Sequence, residues 1–211
     1  MSVREVIRRE KLVAIIRLED DDIIEPIVSH LYKGGIRVVE VTMNTPGAVE
    51  AIRKIKETYT EMTVGAGTVL DAAAAEEAIQ AGADFLLAPT LKKETIHTGV
   101  DYGIPVIPGV MTPTEALTAY EWGAPLVKVF PARHLGPDFL NDLRGPLTEI
   151  EGMAVGGVST DNMAEYLRKG WNSLGIGGSL VNKAWIQEGN FAKIEAKAKE
   201  FVAIRDNVTM V

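Results

Sequence analysis

The chain contains no cysteine. That excludes disulfides, thiolate nucleophiles and cysteine-ligated zinc, and it fits a cytoplasmic protein. Histidine is almost as scarce: His30, His97 and His134 stand far apart, with no pair at a metal-ligand spacing. This argues against a histidine-based metal centre. Long apolar runs are missing too. Nothing approaches the roughly 18–20 residues of a membrane span, and the opening Met-Ser-Val-Arg-Glu lacks the profile of a signal peptide. Basic residues are the minority, 22 Lys and Arg against 29 Asp and Glu, for a net charge of −7. An acidic balance argues against nucleic acid as partner but leaves room for a local phosphate site.

What is present is an ordinary globular composition: 211 residues, 46% hydrophobic and 24% charged. That length suits two small domains or one α/β barrel. Short β-branched runs alternate with longer helical stretches along the whole chain. Expected strands are 12–17, 37–42, 63–66, 85–88, 106–108, 126–130, 153–155 and 174–176. Helices are expected at 23–33, 47–58, 72–81, 94–102, 114–122, 137–143, 160–169 and 190–205, with a short extra helix over 2–9. Glycine follows several of these helices, as in Lys33-Gly34-Gly35, Ala81-Gly82-Ala83, Trp122-Gly123-Ala124 and Lys169-Gly170-Trp171. A glycine there supplies the left-handed residue that ends a helix before the next strand. Eight strand–helix units without a linker or composition break predict one (β/α)8 TIM-barrel domain over residues 1–211. The rival, an open doubly wound sheet, lacks a G-x-G-x-x-G turn after its first strand; Gly65-Ala66-Gly67 is only a fragment of one.

The most informative residue is Lys128, inside the apolar run Leu126-Val127-Lys128-Val129-Phe130. Burial disfavours an ammonium, so a lysine held there is pushed toward the neutral amine, the form that makes Schiff bases with carbonyl compounds. A snorkelling edge-strand lysine, or one neutralised by a structural carboxylate, would read the same on this run alone. Side chains alternate across a strand, so Leu126, Lys128 and Phe130 share one face, as do Val38, Glu40 and Thr42, and Val13, Ile15 and Arg17. On the opposite faces Val127 and Val129, and Val39 and Val41, suit a helix layer. Arg17, Glu40 and Lys128 then converge on one barrel mouth, as a site or as an ion-pair network filling the barrel top. In a site, Glu40 is the carboxylate that moves protons for the lysine's chemistry; otherwise it is a counter-ion.

Glycines supply the second signal. The last two strands run into Val155-Gly156-Gly157-Val158 and Gly175-Ile176-Gly177-Gly178-Ser179. Loops after the seventh and eighth strands are the usual phosphate site of this fold, where backbone N–H groups approach an anion when no Cβ intervenes. Ser179 offers a further hydroxyl, although turns alone also call for glycine. Thr68 and Pro89 lie at strand ends near the expected mouth, and His134 lies in the loop after Phe130. Trp122, Trp171 and Trp185 read as packing residues.

Val13-Ala14-Ile15-Ile16-Arg17, Val39-Glu40-Val41-Thr42, Val64-Gly65-Ala66-Gly67-Thr68-Val69, Pro108-Gly109-Val110-Met111-Thr112-Pro113-Thr114-Glu115, Leu126-Val127-Lys128-Val129-Phe130-Pro131 and Gly156-Gly157-Val158 occur in that order. Over roughly residues 10–204 this resembles the class I 2-keto-3-deoxy-6-phosphogluconate (KDPG) aldolase family, which includes 4-hydroxy-2-oxoglutarate aldolases. The resemblance implies a metal-independent, cofactor-free homotrimer that cleaves a phosphorylated 2-keto-3-deoxy sugar acid to pyruvate and glyceraldehyde 3-phosphate. It makes Lys128 the Schiff-base lysine and Glu40 the acid/base carboxylate. Arg17, Thr68 and Pro89 would surround the keto-acid end, Phe130 would be an apolar wall, and Gly156, Gly157, Gly178 and Ser179 would bind phosphate. Two positions depart from the gluconate-type pattern: Asn44 stands where some members carry arginine, and Val155 where many have threonine. Both forms look like the branch acting on 2-keto-3-deoxy-6-phosphogalactonate, the C4 epimer. A phosphate-binding barrel isomerase or transferase, without an imine, is the rival from another class.

Overall fold

The computed structural model describes residues 1–19 and 23–209. Its strands are β1 (Leu12–Ile16), β2 (Val38–Thr42), β3 (Thr63–Gly67), β4 (Phe85–Leu87), β5 (Val106–Ile107), β6 (Gly109–Val110), β7 (Leu126–Val129), β8 (Glu151–Val155) and β9 (Ser173–Ile176). They form one all-parallel sheet in the order β5-β4-β3-β2-β1-β9-β8-β7-β6. Only Pro108 separates β5 from β6, so the chain itself joins the two edges and the sheet closes into a barrel. The expected fifth strand is thus split in two. Proline has no N–H to give a ladder, but its carbonyl still accepts from Lys128 N at 2.8 Å. The (β/α)8 plan holds, with that one strand divided.

Helices α2 (Ile24–Lys33), α3 (Ala48–Thr58), α4 (Ala72–Gln80), α5 (Lys93–Tyr102), α6 (Pro113–Glu121), α7 (Phe139–Arg144), α8 (Met163–Arg168), α9 (Lys183–Gln187) and α10 (Ala192–Thr209) follow the strands. The short α9 had no signal in the sequence pattern. The glycine stops after α2, α4, α6 and α8 all take positive φ, at Gly35, Gly82, Gly123 and Gly170. Part of the Met111–Glu115 motif is a helix start: Thr112 Oγ1 accepts from Glu115 N, and Glu115 Oε2 accepts from the N–H groups of Met111 and Thr112. Trp171 is buried and donates to Pro137 O at 2.8 Å, a packing role as expected. Among the described residues, no helix is long and apolar enough to cross a membrane.

The alternation read from the sequence separates two cores. Leu12, Ala14, Ile16, Val39, Val41, Val127 and Val129 pack outward against the helices. Val13, Val38, Phe85, Leu87, Ile107, Leu126, Met153 and Val155 fill the barrel interior. The first helix, α1 (Val3–Glu10), closes the N-terminal end of that interior. Its apolar residues Val3, Val6 and Ile7 recur at helical spacing and join the inner core, while a Ser2–Glu5 capping box starts it. Apolar packing therefore seals one end, and the other end is left for polar groups.

Candidate active site

Two residues further along each strand the inward face changes character. Val38 is followed by Glu40 on β2, and Leu126 by Lys128 on β7. Both charged side chains are buried, at 1% and 3% exposure. Glu40 Oε2 is buried with no hydrogen-bond partner among the described residues, so the pair is not a closed, satisfied ion pair. Burial raises the Glu40 pKa to about 7, against the opposing pull of Lys128 and Arg17. Burial likewise lowers the Lys128 pKa; Glu40 opposes that and Arg17 adds to it. Each shift moves its group toward the neutral form. Lys128 Nζ lies over the face of the Phe130 ring, 4.9 Å from its centre.

Glycines make room for this pair. A Cβ at Gly67 would come within 2.6 Å of Glu40 Oε1. Gly109 is the register partner of Lys128 across β6 and β7, and a Cβ there would strike Pro89 O at 2.2 Å. The glycine lets the end of β4 close in beside the lysine strand. Thr68 follows Gly67 with φ +57°, a left-handed conformation that is strained for a β-branched residue and costs of order 1–3 kcal/mol. Its Oγ1 accepts from Arg17 Nη2 at 3.3 Å. Arg17 itself is exposed at the rim.

A cavity of about 500 Å³ opens above the pair. Ile15, Glu40, Lys128, Phe130 and Val155 line its inner part, and Arg17, Gly156, Gly157, Gly178 and Ser179 its more open part. Nine of the eleven residues singled out in the sequence therefore share one cavity. Thr68 and Pro89 stand outside its wall, Thr68 through Arg17 and Pro89 behind Gly109. Gly156 and Gly157 take φ near +90°, and the built Cβ at Gly178 would meet nothing within 4 Å. Packing does not require glycine at 178; it leaves bare backbone toward the cavity. Ser179 Oγ donates to Val158 O at 2.7 Å, so its proton is used to pin the two glycine turns together.

Three polar lining residues carry no signal in the sequence pattern. Arg133, Ser159 and Lys183 also face this cavity. Arg133 belongs to a 3-10 turn (Ala132–His134) that follows the cis Phe130–Pro131 bond, and Lys183 opens α9. Loops carry no periodicity, so the only available signal was a basic residue close behind each site segment. His134 and Asn44 are exposed; neither lines this cavity, although Asn44 borders an adjoining one of about 380 Å³ with Arg17 and Lys183. Among the described residues, no three His, Asp or Glu side chains converge as metal ligands.

A buried amine and carboxylate at one end of a cavity, with paired glycine turns at the other, suit imine chemistry on a substrate carrying an anionic tail. Comparison with known proteins points the same way. A 2-dehydro-3-deoxy-phosphogluconate aldolase from Treponema pallidum is 33% identical over 206 residues, covering 97% of this chain and 98% of that one. A solved structure described as native KDPGal superposes with a TM-score of 0.88 at 30% identity, covering 95% of this chain and 96% of that one. The KDPG aldolase of Legionella pneumophila, solved with pyruvate captured as a covalent carbinolamine, gives 0.86 at 28% identity, with 93% and 96% covered. The model of the KDPG and KHG aldolase family matches residues 3–197, nearly the whole barrel with both ends of the cavity, and the chain belongs to that family.

Proposed function

We propose that the chain is a class I, metal-independent aldolase that reversibly cleaves 2-keto-3-deoxy-6-phosphogluconate to pyruvate and glyceraldehyde 3-phosphate, and that it also accepts 4-hydroxy-2-oxoglutarate. The observation that carries this reading is the buried pair Glu40 and Lys128, each shifted toward its neutral form at the floor of the cavity. Neutral Lys128 attacks the C2 keto carbon; loss of water from the carbinolamine leaves an iminium. Glu40, once ionised, takes the C4 hydroxyl proton. The C3–C4 electron pair then flows into the iminium, releasing the aldehyde and leaving an enamine. Protonation at C3, with Glu40 returning its proton, followed by hydrolysis, frees pyruvate and the amine. Arg17, held toward Thr68, meets the carboxylate of the keto acid, and the Pro89 strand end backs that part of the pocket from behind Gly109. Gly156, Gly157, Gly178 and Ser179 receive the phosphate.

Borohydride added with pyruvate tests this directly. It should leave a pyruvyl adduct on the Lys128 peptide and none in Lys128→Ala. An unlabelled wild-type protein, or a Lys128→Ala variant with full activity, removes the imine mechanism and leaves the isomerase or transferase reading.

One observation favours a second substrate. Val155 lines the cavity immediately before Gly156 and offers an apolar wall where a hydroxyl would bond a substrate oxygen. Together with the similarity to the KDPGal structure, this supports 2-keto-3-deoxy-6-phosphogalactonate as an alternative substrate. Self-association as a homotrimer is part of the same proposal. Exposed Val100 and Tyr102 on α5, Met111 just before α6, and Leu117 and Tyr120 on α6 give such contacts apolar surface. The molecular mass in solution tests it.

A further inference from the structure

We propose that Arg133 is a specificity-determining residue of this chain: its guanidinium, with Lys183 on the other side, supplies the positive charge that holds the substrate's phosphate over the paired glycine turns. This rests on the reading of the glycine end as the phosphate end. Four observations converge on it.

The first is placement. Arg133 follows β7, Gly156 and Gly157 follow β8, and Lys183 follows β9, and all four line the same cavity. The two cations therefore flank the glycine turn from its two neighbouring strands. The second is close packing. Arg133 N donates to Gly156 O at 3.0 Å, and a Cβ on Gly157 would lie 2.7 Å from Arg133 Cβ and 3.3 Å from its Cδ. The bare turn is thus the surface across which the arginine stem runs. Glycine at 157 serves the arginine as well as any anion.

The third is availability. No hydrogen bond or ion pair engages the Arg133 guanidinium among the described residues, and the residue is exposed, so its donors are available to a ligand in the cavity it lines. Lys183 is held differently, by a 2.7 Å pair with Glu19 in which both side chains are largely exposed. An exposed pair of that kind is weak and exchanges readily for a doubly charged phosphate. The fourth is what the turns themselves lack. Ser179 gives its proton to Val158 O, leaving the glycine end with backbone N–H groups but no free hydroxyl donor from that residue. A phosphate dianion bound there needs charge from elsewhere, and a guanidinium suits it through paired N–H donors.

The test measures Arg133→Ala, Arg133→Lys and wild type on three readouts. These are kinetics with 2-keto-3-deoxy-6-phosphogluconate, borohydride trapping of pyruvate, and calorimetric binding of 3-phosphoglycerate. A lost charge-assisted contact at an exposed site corresponds to roughly a 5- to 30-fold loss of affinity. For Arg133→Ala we expect KM and the Kd for 3-phosphoglycerate to rise by that factor, with kcat within about threefold and pyruvate trapping unchanged. Arg133→Lys should recover part of the loss, and the gap should narrow as ionic strength is raised. Unchanged KM and Kd would overturn the assignment, as would equal losses in pyruvate trapping, which indicate damage to the barrel top. A wild type that binds 3-phosphoglycerate through Arg133 yet traps no pyruvate would sink the aldolase reading while leaving the arginine's role intact.

Discussion

The two halves of the barrel interior are built from the same strands, two residues apart. In the lower half Val13, Val38, Leu126 and Met153 meet Ile7 of α1 and form a sealed apolar plug. In the upper half the next inward positions are Ile15, Glu40, Lys128 and Val155, and two of these four are buried ionisable groups. The lower half gains by burying carbon, roughly 1.5–3 kcal/mol for each large side chain. The upper half loses by burying charge, and burial shifts Glu40 and Lys128 toward their neutral forms instead of pairing them tightly. Stability and chemistry are therefore stacked along the barrel axis, and a substitution should reveal which layer it has entered.

Lys128→Met gives the largest separation. It should abolish cleavage and the pyruvyl adduct while leaving thermal stability equal or higher, because a hydrophobic side chain replaces a buried amine. Leu126→Ala, two residues below on the same strand face, should do the reverse. It should cost about 2–5 kcal/mol of unfolding free energy, read from denaturant titration, and leave the imine adduct on Lys128. If both variants lose stability alike, the division between the layers is wrong.

Glu40→Gln sharpens the upper layer. General acid–base catalysis typically supplies ~100- to 10,000-fold, so kcat should fall by about that order with the fold intact. The pH dependence carries the sign. With a folded pKa of about 7 against the ordinary 4.5, native Glu40 keeps a proton that the unfolded chain has lost between those values. Stability from this group should therefore decline as pH rises across that window, by about 3 kcal/mol in all. Proton acceptance requires the ionised form, so the acid limb of kcat/KM should rise near pH 7. Glu40→Gln should erase both trends. A kcat loss below about threefold would leave Glu40 a structural counter-ion.

Both layers were legible in the sequence where alternation is strong. Val38-Val39-Glu40-Val41-Thr42 and Leu126-Val127-Lys128-Val129-Phe130 assign an inward and an outward face by parity alone, and the packing follows that parity. The division of the fifth strand at Pro108 was not legible, because Val106-Ile107-Pro108 reads as one short strand ending in a proline. Closure depends on which neighbour each carbonyl meets, a long-range fact that no local window holds. Arg133 and Lys183 escaped for a related reason. They sit in a turn and at a short helix start where nothing repeats, and only the fold brings them to the cavity that Gly157 lines. Ser179 shows the limit of reading a residue by type: a serine in a glycine turn suggests a free donor, but its proton goes to Val158 O.

The phosphate end should respond to charge more than to bulk. Gly157→Asp puts a carboxylate beside the expected phosphate and, at φ +90°, strains the turn. KM for the phosphorylated substrate should rise well above the change seen with unphosphorylated analogue. Equal penalties on both would mean general disruption of the turn, against which Arg133 is packed.

The smallest expected effect falls where the two layers meet. Val155 belongs to the apolar interior and yet lines the cavity, and its Cγ2 lies 2.7 Å from where a Cβ on Gly175 would stand. The site is tight, so valine and threonine, being close in size, are the pair to exchange. The exchange adds one hydroxyl to a buried wall. A hydrogen bond made to a substrate oxygen is worth about 0.5–1.5 kcal/mol net, a roughly two- to tenfold change in preference. Val155→Thr should move the ratio of kcat/KM for the two C4 epimers toward the gluconate compound. An unpaired hydroxyl there would instead cost stability without changing the ratio. Both epimers measured on both proteins, alongside a denaturant titration, separate these outcomes. A ratio that stays fixed or moves toward the galactonate compound would return Val155 to the apolar layer and place stereochemical choice elsewhere in the cavity.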